Sequence, residues 1–221
     1  MVHLARSDSD GGPPDDQQSF FGGPAWTLDP LSGQYYFHLF DRKQPDLNWE
    51  NPEMRAEIWA MMNRWFDRGI AGFRMDVIDL IGKDVDAEIT ADGPKLHDHI
   101  REMHGETLAG RDVVTVGEAW SANLDNALLY TGRDRGELSM VFQFAHVTEG
   151  WDPAFGKWRA RPRDLVGLKR VFNAWQQARL TTAGTACSGQ TTTCRAPSRN
   201  TATIPQNGGC ARPRRWPPCS T

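Results

Sequence analysis

The alternation of apolar and polar positions divides the chain into a loop-rich start, a long patterned body and an unpatterned tail. Residues 1–34 are broken up by Gly11-Gly12-Pro13-Pro14 and Gly22-Gly23-Pro24 and read as loop. β-formers cluster over residues 34–40, which predicts a short strand. Asn51-Pro52-Glu53 marks a helix start: a capping side chain, a proline where a missing N–H is harmless, and an acid facing the helix dipole. Ile58, Met61, Met62 and Trp65 follow at helical spacing, and Gly69 closes the helix. Residues 70–78 then read as a strand, with Phe73, Met75 and Val77 on one face and Arg74 and Asp76 on the other. A second helical pattern covers about 95–108, with Leu96, Ile100 and Met103 on one face. Others cover about 123–130 and 163–177, the last with Leu165, Leu168, Val171 and Trp175 on one side. Apolar strands are expected at 112–116, running into Gly117-Glu118, and at 139–144. Helices alternating with short strands predict right-handed β–α units on a parallel sheet.

Composition narrows the function classes. A chain of 221 residues, 39% of them hydrophobic, can bury one sizeable core. A net charge of −3 argues against general nucleic-acid binding. No apolar run approaches the length of a membrane span, and residues 1–20 lack the apolar stretch of a secretory signal, so a cytoplasmic protein without membrane contact is expected. No phosphate-cradling glycine loop and no Ser/His/Asp set stands out. His38 and His146 are scattered and read as structural, and Gly132-Arg133-Asp134-Arg135 reads as a solvated loop. Neither a metal nor a cofactor is expected.

The strand ends carry the candidate chemistry. Arg74 and Asp76, two apart on one strand, project from the same face. A guanidinium beside a carboxylate keeps it ionised, as a carboxylate nucleophile requires. Glu118 closes the next strand. In parallel β/α sheets and barrels the carboxyl ends of neighbouring strands share one mouth, where catalysis usually lies. Two carboxylates there, one charged and one in apolar surroundings, suit acid/base work on a glycosidic bond. Trp120 stands near that mouth and offers a ring on which a sugar can stack. The same spacing also serves a structural ion pair, and a glutamate at a strand end is commonly just solvated.

Gly72-Phe73-Arg74-Met75-Asp76-Val77-Ile78 resembles the central signature of the alpha-amylase superfamily, glycoside hydrolase family thirteen, and Val116-Gly117-Glu118-Ala119-Trp120 is similar to its next one. Gln44-Pro45-Asp46-Leu47-Asn48-Trp49, Ser19-Phe20-Phe21-Gly22-Gly23 and Met140-Val141-Phe142-Gln143-Phe144 resemble segments of its oligo-1,6-glucosidase branch. The resemblance runs from about residue 10 to residue 177. It implies part of a TIM (β/α)8 barrel, about strands four to six of eight with their helices, preceded over residues 10–48 by the end of a small inserted domain. It also implies that Asp76 is the nucleophile, Glu118 the general acid and then base, and Arg74 the group that orients and charges Asp76. The family retains anomeric configuration, so the two carboxyls should sit roughly 5–5.5 Å apart. Val77, Phe142 and Trp120 would contact substrate, a small oligosaccharide, and Val77 is the choice usual in members that cleave α-1,6 bonds. Ala145 departs from the branch, which usually has glutamate there.

The tail reads differently. From Arg179 onward there are six arginines, no lysine and no acid, so this stretch carries +6 and the body before it −9. All four cysteines (Cys187, Cys194, Cys210 and Cys219) lie within it, at no zinc spacing. Residues 179–221 show no hydrophobic period and are expected to be disordered. The genetic code supplies a reason. With codons shifted by one base, Thr191-Thr192-Thr193 permits Asn-His-Asp, the later family motif whose Asp is the third catalytic carboxylate. Extending the shift over 187–197 permits a long family-like string, if Arg195 has a CG-type codon. The reading frame is therefore expected to break between about residues 176 and 180. Met1–Ser7 likewise permits family sequence in the other frame, which makes residues 1–9 an expected out-of-frame start. Three functions stand at this point: an α-glucosidase-type hydrolase, a catalytically inactive fragment from a broken frame, and a non-catalytic binding protein using its basic tail.

Overall fold

In a computed structural model, which describes residues 1–5, 11–152, 154–162, 164–179 and 185–187, the first sheet is antiparallel. It joins Leu4–Ala5 (β1), Trp26–Asp29 (β2) and Gln34–Phe37 (β3), with β3 in the middle. β1 and β2 lie within the stretch expected to be loop. They form because Asp29 and Gly33 close a tight turn, with Gly33 at φ 67°, and because Trp26 packs edge-on against Phe37 at 5.0 Å. The core under this sheet is small: Ala25, Trp26, Phe37, Leu39 and Leu80.

The helix Pro52–Asp67 (α1) begins as its sequence dictates, with the Asn51 side chain accepting the Met54 N–H at 3.1 Å. Its buried face is Met54, Trp59, Met62 and Phe66, while Met61 and Trp65 point to solvent. The expected stripe is thus rotated; apolar residues almost encircle this helix, so spacing alone did not single out the inner face. The strand Gly72–Met75 (β4) is shorter than expected, because the chain turns sharply at Val77 into a 3₁₀ turn over Ile78–Leu80. At Gly72 a Cβ would lie 1.8 Å from the Val114 carbonyl, so only glycine allows β4 this close to its neighbour.

Leu96–Met103 (α2) buries Leu96, Ile100 and Met103 as expected, then widens into a π turn over His104–Leu108. Val114–Glu118 (β5), Ala127–Thr131 (α3), Met140–Gln143 (β6) and Ala145–Thr148 (α4) follow. A short hairpin, Trp151–Asp152 (β7) with Gly156–Ala160 (β8), then leads to Leu165–Arg179 (α5). Trp175 of α5 is buried but Leu165 is exposed, so only part of the expected stripe faces inward. Thr185–Cys187 (β9) pairs with β6, which completes a parallel sheet in the order β4-β5-β6-β9.

This is α/β architecture, an open parallel sheet with β4 and β9 at its edges among the described residues, rather than a closed barrel. Its main core joins Trp59, Met62 and Phe66 of α1 to Ile100 and Met103 of α2, with Tyr130, Leu138 and Val141 beside them. β9 lies inside the stretch expected to be structureless. The rest of that tail, 180–184 and 188–221, lies outside the described residues, as does 6–10, which holds the upstream frame break expected between Ser7 and Asp10.

Candidate active site

The parallel register assembles the site. Arg74 lies beside Val116, Met75 beside Gly117, and Glu118 beside Phe142. Neighbours across a parallel sheet face the same side, so Arg74, Glu118 and Phe142 line one surface at the carboxyl ends. Asp76 joins them from just beyond β4. The Arg74 guanidinium binds both acids, Nη1 donating to Asp76 Oδ1 and Nη2 to Glu118 Oε2. The Asp76 side chain is 72% exposed, whereas that of Glu118 is only 14% exposed.

That difference in setting separates the two carboxyls chemically. Asp76 is held below the usual carboxylate range, first by the hydrogen bond it accepts from Glu118 and then by the Arg74 guanidinium. Glu118 is pushed up, first by burial and then by a hydrogen bond to Asp76 that favours its protonated form. Opposing this, the Trp120 indole N–H donates to Glu118 Oε1 at 3.0 Å, and Arg74 also favours the charged form. Opposite shifts of two neighbouring carboxyls are what a nucleophile and a general acid need. Arg74 bridges the two carboxyls and so keeps them close together.

Behind the pair stands an aromatic wall. Trp120 stacks on Phe144 at 3.9 Å and 7°, with Trp151 at 6.3 Å. Trp120 itself remains well exposed, two residues beyond Glu118. Val77, immediately after Asp76, sits at φ 37° and ψ 47°. A β-branched residue in the left-handed region is an outlier and costs about 1–3 kcal/mol. Such strain persists only where neighbours enforce it. The turn carries Val77 off the face it was expected to share with Phe73 and Met75 and packs it against the core of the small sheet.

The structure therefore gathers Arg74, Asp76, Glu118 and Trp120 through hydrogen bonds, sets Phe142 beside Glu118 in register, and places Val77 at the turn. His38 is buried against Thr27 and the Phe40 carbonyl, a structural role. Arg135 is not simply part of a solvated loop: it donates to the buried Glu137 at 2.8 Å. Its expected exposure failed because its partner, two residues on, is drawn into the core. Asp79 escaped sequence reasoning altogether. It is fully buried and accepts the Ser121 N–H at 2.9 Å, just past Glu118. Its signal was an acid within the apolar run Val77-Ile78-Asp79-Leu80-Ile81. Among the described residues no cluster of His, Cys, Asp or Glu could hold a metal ion, and no helix is long and apolar enough to cross a membrane.

A family model described as the alpha-amylase catalytic domain matches residues 3–190. The chain is 56% identical over 173 residues to a palatinase of Erwinia rhapontici, covering 77% of this chain and 31% of that protein. It is 53% identical over 164 residues to a glucan 1,6-alpha-glucosidase of Streptococcus dysgalactiae subsp. equisimilis, covering 74% and 30%. Among solved structures it is similar to a trehalose-6-phosphate hydrolase of Bacillus licheniformis, with TM-score 0.78 and 36% identity, covering 83% of this chain and 35% of that one. The chain spans about a third of the length of the relatives it matches.

Proposed function

Because this chain belongs to the alpha-amylase family, we propose that it carries the nucleophile and acid/base of a retaining α-glucosidase acting on terminal α-glucosidic bonds of short oligosaccharides, α-1,6 bonds first. The reading rests on one observation, the opposite shifts of two carboxyls held by one arginine.

Asp76, ionised and open to solvent, attacks the anomeric carbon as the leaving oxygen takes the proton of Glu118. The bond between the anomeric carbon and that oxygen breaks, and a glycosyl ester forms on Asp76. Glu118, now ionised, takes a proton from water, which attacks the anomeric carbon and releases Asp76 with net retention. A sugar entering between the carboxyls parts their hydrogen bond and moves them toward the roughly 5–5.5 Å spacing of retaining glycosidases. Arg74 keeps Asp76 charged, the Trp120 ring supports the sugar face, and Phe142 and Val77 bound the cleft. The names of the relatives, a palatinase and a glucan 1,6-alpha-glucosidase, favour α-1,6 bonds. An aryl α-glucoside and isomaltose test this. Turnover of both, lost about 10⁴-fold or more in Asp76→Asn, is expected, since a nucleophile deletion removes the covalent route.

The 72% exposure of Asp76 favours a second reading, a chain whose open sheet leaves the carboxyls too hydrated for turnover. Its source would be the frame breaks read from the sequence. Absence of turnover in the folded chain, together with Asn-His-Asp encoded in the other frame beyond codon 180, supports it.

A further inference from the structure

The turn after the nucleophile grips the strand of the acid on both sides of Glu118. Before Glu118, the Ile78 side chain sits against Gly117 so closely that a Cβ there would lie 2.8 Å from Ile78 Cγ2. After Glu118, Asp79 Oδ2 accepts the Ser121 N–H at 2.9 Å. Asp79 is itself anchored, its carbonyl accepting the Asp92 N–H at 3.0 Å. Asp92 in turn takes the hydroxyl of the buried Tyr130 and, at 3.0 Å, the Asn126 amide. The other Asp79 carboxyl oxygen, Oδ1, is buried with no hydrogen-bond partner among the described residues. An acid buried with one oxygen unpaired is costly, and apolar replacement would normally be favoured. That bond ties the turn just after Asp76 to the segment just after Glu118. We propose that Asp79 is a positioning residue: by clamping the backbone at Ser121 to the turn behind Asp76, it sets the separation and alignment of Asp76 and Glu118.

This deepens the glycosidase reading and rests on it, but it makes a claim about geometry that can be read without turnover. Asp79→Asn keeps an oxygen for the Ser121 N–H and is expected to behave as the parent chain. Asp79→Leu removes the acceptor at similar volume; Asp79→Ala, whose cavity admits water, is its companion should the first not fold. In the folded acceptor-less variant, kcat for the aryl α-glucoside is expected to fall about 10²-fold with KM changed less than threefold, as for an ångström-scale misplacement of a reacting group. In parallel, ¹³C-carboxyl NMR of the substrate-free full chain follows the titration of Asp76 and Glu118. Their two midpoints are expected to draw together in the acceptor-less variant and to stay apart in Asp79→Asn. Should the parent chain show no turnover while these midpoints still depend on Asp79, the positioning role stands and the glycosidase reading falls. Unchanged midpoints and kcat in the acceptor-less variant overturn the proposal. So does failure of both acceptor-less variants to fold, which would make Asp79 a folding residue only.

Discussion

Two charge clusters in this molecule invert each other's stoichiometry. At the strand ends one guanidinium, Arg74, serves two carboxyls, Asp76 and Glu118. Behind the sheet one carboxyl, Glu137, serves three donors: His97 at 2.7 Å, Arg135 at 2.8 Å and Arg101 at 3.1 Å. The Glu137 side chain is completely buried, yet its oxygens are fully occupied. Surplus donors saturate an acid and make it inert structure. A single cation set between two acids leaves them shifted in opposite directions, Asp76 down and Glu118 up. The number of cationic donors per carboxyl, more than burial, separates the strand-end cluster, which we propose is the reactive one, from the cluster at Glu137.

The sharpest way to break this contrast is to empty the saturated cluster. Glu137→Ala removes the buried acceptor shared by His97 and two partly exposed arginines and is expected to cost about 3 kcal/mol by denaturant titration. Turnover per folded molecule should be unchanged; a loss of kcat in the folded fraction would make Glu137 part of the site. The converse change weakens the cation that bridges the two carboxyls of the site. Arg74→Lys loses the two-pronged grip and should lower kcat/KM about 10²-fold. Because Arg74 helps hold Asp76 down, the acid limb of the pH–rate profile should then move to higher pH. The smallest effect is expected at Trp120, whose indole favours the ionised form of Glu118. Trp120→Phe keeps the ring and removes the N–H, so the alkaline limb should move to higher pH. A shift to lower pH would contradict Glu118 as the acid.

The two carboxyls also bear oppositely on stability. The folded state holds Asp76 below its unfolded value, so this contribution is present above that value and is lost as pH falls through the folded one. Glu118 is raised, so its contribution is present below the unfolded value and is lost as pH rises through the folded one.

Much of this contrast was legible in the residues, and the exceptions have physical causes. Alternation placed Arg74 and Asp76 on one face and brought Glu118 to the end of the next strand, because period two is a strong local rule. The Asn51 cap was equally local. The rotated face of α1 was not legible, since apolar residues surround that helix and only the partner surface decides which are covered. Alternation predicts Val77 as a strand residue, whereas its left-handed turn is imposed by packing on either side and runs against its own preference. The roles of Asp79 and Glu137 are not legible locally, because an acid's partners come from residues distant in sequence: Ser121 for one, His97 and Arg101 for the other.

The central claim is that Asp76 is the group that carries the sugar. A fluorinated α-glucosyl fluoride, which forms a glycosyl ester faster than water removes it, can be incubated with the full chain and followed by peptide mass spectrometry. A single adduct is expected on the peptide containing Asp76, absent in Asp76→Asn. Turnover without an adduct there, or an adduct on any other carboxyl, contradicts the account.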